Sequence, residues 1–320
     1  METLIALFPL FYKIQNYKME KPHNIKSITE YHNLLGVAKP RHPLISLINH
    51  EDIQHYNSEK LRNKTYNFYA VSRKVNFEGT MKYGQHYYDF QEGVMVFHGP
   101  RQVIVSELTN DAKLKGWTLL IHPDFIRTYP LIDKFKKFGF FSYAMNEALH
   151  LSEEESNTIE EVMDTIRKEY NSGIDIYSQD ILISQIELLL NYCNRFYNRQ
   201  FITRKTVNSE LLVKFEKLLS NYFESSDLQM KGIPTVQYFS NELNMSANYL
   251  SDMLRSLTGQ STQQHIQDKL IEKAKEILTT TDLMVSEIAY ELGFEYPQSF
   301  SKLFKSKTNI TPLEYRQSFN

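Results

Sequence analysis

Two stretches in the C-terminal third of the chain repeat one pattern of apolar and polar residues. Phe239–Met245 reads FSNELNM and Ile288–Phe294 reads IAYELGF, so the two copies lie 49 residues apart. Further along the offset becomes 50, which aligns Leu254 with Phe304 and Ser261 with Thr311. The slip of one residue falls between the two halves of each copy, where a turn would absorb it. The pattern therefore predicts two copies of one supersecondary unit.

Each copy predicts a helix, a tight turn and a second helix. An amphipathic spacing of i, i+3, i+4 and i+7 is formed in the second copy by Val285, Ile288, Ala289 and Leu292. Gly293 is expected to end this helix in the left-handed conformation, and the small Ala289 permits a close helix crossing. The first copy has Ser240 and Asn244 at the corresponding positions, and Asn also tolerates the left-handed conformation.

The second helix of each copy combines an apolar stripe with a polar outward face. The stripes are predicted from Leu250, Met253, Leu254 and Leu257 in the first copy and from Phe300, Leu303 and Phe304 in the second. The outward residues are of the types that hydrogen-bond base edges or phosphates in a DNA major groove, although a merely solvated helix face is the alternative interpretation. The candidate DNA-binding residues are Asn248, Ser251, Arg255, Pro297, Gln298, Ser299, Ser301, Lys302 and Lys305.

The segment between the two copies predicts one continuous helix. Thr262–Leu278 has apolar residues at helical spacing and contains no Gly or Pro. Such a helix would hold the two units at a fixed separation. Because major-groove faces on one side of DNA recur about every 34 Å, one chain could read two adjacent groove segments.

The charge of the C-terminal region is unusual for a DNA-binding domain. Residues 210–320 contain 11 Lys and Arg against 14 Asp and Glu, whereas phosphate neutralisation normally dominates DNA affinity. Within Tyr296–Arg316, however, Lys302, Lys305, Lys307 and Arg316 face only Glu314. We therefore expect the second unit to supply most of the electrostatic attraction. We expect the first unit, which carries Asp252, to bind weakly or to accept a hydrogen bond from cytosine.

These residues resemble the AraC family of transcriptional regulators from near Thr235 to Arg316. The most specific part is IA…GF…SFSKLFK…TPLEYR, within Ile288–Arg316. The resemblance implies an all-helical DNA-binding domain whose two recognition helices enter neighbouring major grooves. Asn309 stands where the family usually has Gly, and Asp252 stands where it commonly has a basic residue. The second departure puts a base contact at Asp252 in doubt.

The N-terminal two-thirds read as short strands followed by two helices. Strands are predicted at Val94–Phe97, Val103–Val105 and Trp117–Ile121. The segment Tyr88–Gly93, with Phe97 and Pro100–Gln102, is similar to the cupin-like sensing domain that often precedes an AraC-type domain. That resemblance implies an antiparallel β-barrel or jelly roll with a cavity for a small-molecule effector.

The two helices are predicted from a cap and from an apolar repeat. Ser152 and Glu155 form a capping-box pattern ahead of the first helix. The second helix, near 177–199, has a coiled-coil-like spacing of Leu182, Ile186, Leu189, Cys193 and Phe196. This stripe predicts either a homodimer seam, as such helix pairs commonly form in the family, or packing against the barrel. Arg204–Ser209 reads as a short polar linker.

The sequence offers no catalytic constellation. His86, His98 and His122 are dispersed, no His-x-His pair occurs, and neither a phosphate-binding loop nor a nucleophile elbow is found. We therefore expect no enzyme activity, no cofactor and no metal. Two alternatives stay open for the N-terminal part: a cupin-like metalloenzyme, or a partner-binding module, fused to a DNA-binding domain.

The predicted organisation is a multi-domain α+β protein. Residues 1–205 are expected to form a sensing and dimerisation domain, with strands roughly within 44–122 and helices roughly within 152–200. Residues 206–320 are expected to form the DNA-binding domain. The apolar stretch Leu4–Tyr12 is shorter than the roughly 20 residues of a bilayer span, so we expect a cytoplasmic protein without a membrane partner. The expected partners are double-stranded DNA, a small-molecule effector with unidentified contact residues, a second copy of the chain and RNA polymerase.

Overall fold

The computed structural model describes most of the chain in two units. It covers residues 21–55, 58–75, 81–83, 86–88, 93–105, 115–144, 147–172, 175–203, 205–225 and 227–319. The predicted apolar stretch 4–12 and residues 89–92 of the cupin-like segment lie outside the described residues. Backbone contacts divide the chain between Tyr197 and Asn198. The first unit mixes strands and helices and the second is helical, which confirms the α+β class.

The strands of the first unit form a five-stranded sheet and two smaller ones. They are β1 (His23–Ile25), β2 (Ile45–Asn49), β3 (Asn63–Tyr66), β4 (Tyr69–Val75), β5 (Met81–Tyr83), β6 (His86–Tyr88), β7 (Val94–His98), β8 (Ile104–Val105), β9 (Lys115–Ile121) and β10 (Leu149–His150). The large sheet has the order β10-β7-β4-β9-β2 and is antiparallel throughout. β3 pairs with β8, and β5 with β6, in the same sense, whereas β1 pairs with β3 in parallel. The three predicted strands are confirmed, and the parallel pair departs from the predicted all-antiparallel arrangement.

An apolar cluster fills the space next to these strands. It includes Ile25, Ile28, Phe68 and Leu120, which are almost completely inaccessible to solvent. The rings of Tyr66 and Phe68 stack with centroids 4.5 Å apart. Buried apolar area of this extent is the main source of stability in such a unit.

The helices of the first unit pack against its sheets. They are α1 (Ile28–Leu35), α2 (Glu59–Arg62), α3 (Pro123–Ile126), α4 (Leu131–Lys137), α5 (Glu153–Asn171) and α6 (Ser178–Thr203), whose residues 198–203 belong to the second unit. The predicted capping box is confirmed, since Ser152 N donates to Glu155 Oε2 (3.0 Å) and Glu155 N donates to Ser152 Oγ (3.3 Å). Glu160 of α5 accepts from Trp117 Nε1 at 2.6 Å and pairs with Arg73 at 2.9 Å, which fastens α5 to the large sheet.

The predicted seam of α6 is buried within a single chain. Of its five residues, Ile186, Leu189 and Cys193 are completely inaccessible, and the other two are at most 7% exposed. The stripe thus packs against the chain's own core, as one of the two interpretations predicted. Burial also raises the pKa of the Cys193 thiol. The apolar side chains that α6 leaves exposed are others, among them Ile181 and Leu188.

The second unit contains eight helices within the described residues. They are α7 (Lys205–Glu224), α8 (Asp227–Lys231), α9 (Val236–Glu242), α10 (Ala247–Thr258), α11 (Thr262–Thr280), α12 (Val285–Glu291), α13 (Pro297–Thr308) and α14 (Pro312–Gln317). The predicted linker at Arg204–Ser209 is wrong, because residues 205–209 are the first turns of α7. This helix is held by buried aromatic packing: the Phe215 ring lies 5.3 Å from Phe239 and 5.6 Å from His265. Across the described residues, no helix combines the length and apolarity of a membrane span.

Candidate nucleic-acid interface

The two predicted helix-turn-helix units share one backbone design. The turn after α9 places Asn244 at φ 55°, and the turn after α12 places Gly293 at φ 81°, both in the left-handed region. Met245 N donates to Ser240 O, and Phe294 N donates to Ala289 O, each at 2.9 Å. Both turns therefore end the preceding helix with the same six-residue hydrogen-bond closure.

Small buried residues let the helices approach in both units. Ser240 and Ala289 are completely inaccessible, as predicted for positions at a close helix crossing. Gly293 has a second role that the sequence does not reveal. A Cβ added there would lie 2.8 Å from the Gly232 Cα atom, so the backbone before α9 also requires a glycine at this turn.

Local caps define the ends of the two candidate recognition helices, α10 and α13. Ser246 Oγ accepts from Tyr249 N at 3.2 Å at the start of α10, as predicted. α13 begins instead with Pro297, whose fixed φ suits a first helical turn. α10 ends at Gly259 (φ 80°) and α13 ends at Asn309 (φ 66°). Asn309 therefore ends α13 in the same left-handed conformation in which Gly259 ends α10.

α11 joins the two units without a break. It has 19 residues, or about 28 Å at 1.5 Å per residue, and opens with a capping box between Ser261 and Gln264. At its far end, Arg316 of α14 donates to Leu278 O (3.1 Å) and Leu283 O (2.7 Å). The continuous helix predicted for Thr262–Leu278 is confirmed, and it ties the two units into one domain.

α13 presents a coherent polar face. Gln298, Lys302 and Lys305 are exposed and follow i, i+4 and i+7 spacing, which places them on one side of the helix. The opposite side carries Phe300 and Phe304, both completely buried. Of the other candidates on this helix, Ser299 is exposed, whereas Pro297 and Ser301 are half-buried.

α10 presents a different face from the same positions. Asn248 is exposed, but Arg255 Nη1 pairs with Asp252 Oδ1 at 2.6 Å. Ser251 Oγ donates to Thr262 Oγ1 at 3.0 Å, so this hydroxyl is turned toward α11. The first helix-turn-helix unit thus offers one exposed amide and a neutralised pair of charges.

The local cations of the second helix-turn-helix unit divide into two groups. Lys307 Nζ pairs with Asp268 Oδ1 of α11 at 2.8 Å, and Arg316 binds the two carbonyl oxygens described above. Within the described part of the chain, no ion pair is formed by Lys302 or Lys305. The charge of Lys305 helps to lower the pKa of Glu314, after the backbone and side-chain hydrogen bonds from Thr311. The positive face of α13 therefore consists of Lys302 and Lys305.

The candidate histidines of the N-terminal unit, residues 1–197, have structural surroundings. His98 is buried, and burial lowers its pKa to about 3, with smaller contributions from nearby lysines. His122 Nδ1 accepts from Asp124 N at 3.2 Å at the start of α3. The His86 side chain lies outside the described residues. Where the chain is described, no group of three His, Cys, Asp or Glu side chains could hold a metal ion.

Comparison with known proteins finds similarity in the C-terminal region. A helix-turn-helix domain family matches residues 239–318. The chain is 27% identical over 143 residues to a protein of Formosa agariphila named histidine kinase P4, covering 44% of this chain and 10% of that protein. It is 30% identical over 99 residues (31% of this chain, 57% of the other) to an uncharacterized HTH-type transcriptional regulator in the cgkA 5' region of Pseudoalteromonas carrageenovora. It is 31% identical over 84 residues (26% of this chain, 30% of the other) to the HTH-type transcriptional activator RhaR of Cronobacter sakazakii. The chain therefore spans between a tenth and somewhat over half of these relatives.

Proposed function

We propose that this chain, whose C-terminal domain is a helix-turn-helix domain of the AraC type, is a transcriptional regulator that binds specific double-stranded DNA. The observation that carries the proposal is the shared exposed face of Gln298, Lys302 and Lys305 on α13. An amide and two cations that form no ion pair among the described residues suit base recognition and phosphate neutralisation in a major groove.

The two recognition helices would then have unequal roles. α13 enters a major groove, where Gln298 contacts a base edge and Lys302 and Lys305 contact phosphates. Pro297, Ser299 and Ser301 lie at the edge of this contact. α10 enters the neighbouring groove through Asn248 and Arg255, while Ser251 supports the helix from its inner side. The length of α11, about 28 Å, is compatible with the roughly 34 Å repeat of DNA.

For the N-terminal unit we propose a cupin-like sensing and dimerisation role. The names of these relatives describe a histidine kinase and transcriptional regulators and specify no effector. The effector proposal therefore rests on the predicted barrel and on the helix pair α5–α6. A homodimer through α6, near 177–199, would use the exposed Ile181 and Leu188 rather than the buried seam. A signal in this unit would change dimerisation or the disposition of the DNA-binding domains. RNA polymerase is a further partner in this proposal, and the cytoplasm is the compartment.

A second candidate function for the N-terminal unit is that of a partner-binding or dimerisation module without an effector in the barrel. The filled apolar interior around Tyr66 and Phe68 favours it, because an effector there would have to displace packed rings. The metalloenzyme alternative has no comparable support from the described residues.

A salt-dependent titration tests the DNA-binding proposal. The full chain is titrated against the region upstream of its own gene and against a scrambled sequence of equal length. We expect tighter binding to the upstream region and a steep decrease of both affinities with salt. Equal affinities with superimposable salt slopes, with and without cellular small-molecule extract, would contradict sequence-specific recognition.

A further inference from the structure

A pocket of about 670 Å³ opens beside β2 in the first unit. Its walls are the segment 36–41 after α1, residues 46–49 of β2, the turn 51–54, and Tyr170 and Asn171 at the end of α5. This volume falls within the range of small-molecule sites in proteins, roughly 300–1,000 Å³. The apolar cluster around Phe68 forms one wall of the pocket, because Ile48 belongs to that cluster and Val37 and Ile53 pack against it.

A hydrogen-bonded chain fixes the base of this pocket. His32 Nδ1 lies 2.5 Å from Ala38 O, and its Nε2 atom lies 2.9 Å from Ser46 Oγ. Because a carbonyl oxygen only accepts, Nδ1 carries the proton and Nε2 accepts from the Ser46 hydroxyl. Tyr170 OH in turn donates to Ser46 Oγ at 3.4 Å and accepts from Arg41 N at 2.9 Å. Burial lowers the pKa of His32, so the base is polar, neutral and preorganised.

The rim of the pocket carries opposite charges at its two ends. Lys39 and Arg41 belong to the segment that is bonded to Tyr170, close to Ser46. Glu51 and Asp52 follow the other end of β2, where Asn49 Nδ2 donates to Asp52 Oδ2 at 3.4 Å. Asn49 follows Ser46 by three residue steps along the strand, a distance of about 10 Å. The two cations and the two carboxylates cancel, so the rim suits a ligand that has no net charge and has oppositely charged ends.

We propose that this pocket binds a short peptide-like zwitterion of two or three residues. Its carboxylate would lie at Lys39 and Arg41, where a guanidinium can form paired charge-assisted hydrogen bonds. Its ammonium group would lie at Glu51 and Asp52, and its amide groups would face Ser46 and Asn49. An extended tripeptide spans about 10 Å, which matches the spacing along β2 between Ser46, near the cations, and Asn49, near the carboxylates.

The pocket is also connected to the helix pair. Arg41 Nη1 donates to Asn171 O at 3.0 Å at the C-terminal end of α5. A ligand carboxylate would compete with this carbonyl for the guanidinium and change how α5 ends. The regulatory meaning of this competition rests on the proposed function, whereas the binding site itself does not.

A binding assay without DNA tests the site. Trp117 is the single tryptophan, pairs across the sheet with Asn49 and bonds Glu160 of α5, so its fluorescence reports from next to the pocket. Triglycine is titrated into the full chain, with calorimetry as a second readout and with N-acetyl-triglycine amide as the uncharged comparison. We expect saturable millimolar-range binding of triglycine and none of the blocked peptide.

Point variants locate the contact. Arg41→Ala and Asp52→Ala should each weaken triglycine binding by about tenfold, because each removes one charged contact. Arg41→Lys should retain part of the binding, and the exposed Arg127→Ala of α3 should retain all of it. Circular dichroism of every variant establishes that the fold is intact.

Two results would overturn the site: no saturable triglycine binding by either readout, or equal binding of the blocked peptide. Failure of the DNA titration together with normal triglycine binding would instead overturn the regulator proposal and leave the pocket assignment standing.

Discussion

α10 carries Asn248, Asp252 and Arg255 at the positions where α13 carries Gln298, Lys302 and Lys305. In α10 the two charged residues pair with each other at 2.6 Å, whereas in α13 both charges are positive and exposed. Each of the two helices nevertheless follows a left-handed turn, ends at a left-handed residue and buries an apolar stripe. The comparison teaches that packing constrains the scaffold of each helix-turn-helix unit but leaves its exposed side chains free to diverge. We therefore propose that the second helix-turn-helix unit supplies most of the electrostatic attraction for DNA.

The largest expected effect separates the two turns. Gly293→Ala should lower the free energy of unfolding by about 2–4 kcal/mol, because the residue has positive φ and its Cβ would collide with Gly232. The matched change Asn244→Ala should lower it by about 1 kcal/mol, since only the left-handed preference is lost. Urea unfolding followed by far-ultraviolet circular dichroism measures both. Equal losses would show that the Gly232 contact contributes nothing.

Base recognition should differ between the amides of the two helices. Gln298→Ala is expected to reduce discrimination at one or two base pairs by about 1–3 kcal/mol each, because an amide can bond a base edge. Asn248→Ala should have a smaller effect in the neighbouring half of the site. Competition titrations with single-base-pair variants of the bound sequence measure the discrimination. A larger effect of Asn248→Ala would reverse the assignment of the two helices.

Removal of the acidic charge from α10 should make the exposed face of the first helix-turn-helix unit positive, like that of the second. Asp252→Asn should strengthen DNA binding by a factor of about 3–10, because Arg255 loses its partner and a negative charge near phosphate disappears. Anisotropy titrations measure this, with Glu272→Gln on α11 as the matched control. Weaker binding of Asp252→Asn would indicate that the carboxylate itself contacts a base, as a cytosine contact requires.

The smallest effect is a pH dependence confined to the first repeat. His265 corresponds to Tyr315 in the second repeat, and desolvation lowers the pKa of His265. A lowered folded-state pKa means that the unfolded chain binds more protons below about pH 6.5, so stability is present above that pH and decreases as the pH falls. His265→Gln should remove this contribution and flatten the unfolding midpoint between about pH 7.5 and pH 5.5. An unchanged profile in the variant would assign the dependence to other groups.

Features that depend on local sequence could be predicted. The repeat, the caps at Ser152 and Ser246, and the left-handed turns at Gly293 and Asn309 follow from residue types at fixed spacings. The resemblance to the AraC type, carried by the string before Arg316, is supported by the helix-turn-helix match.

Features that depend on distant partners could not be predicted. In the sequence, Lys307 and Arg316 counted as cations available to DNA. In the structure, Lys307 pairs with Asp268, and Arg316 donates to the carbonyl oxygens of Leu278 and Leu283. The apolar stripe of α6 had two compatible partners, and its packing against the chain's own core was not encoded in its spacing. The contact assignments on α10 and α13 stay predictions.

The salt dependence of DNA affinity tests the central claim most directly. The wild-type chain, the Lys302→Ala/Lys305→Ala double variant and Lys307→Ala are compared on the same duplex. If the second unit supplies the attraction through these two lysines, the double variant loses about two units of the slope of log affinity against log salt, one for each phosphate contact. Lys307→Ala should keep the wild-type slope, because Lys307 already pairs with Asp268. An unchanged slope in the double variant, or an equal loss in Lys307→Ala, would contradict the account.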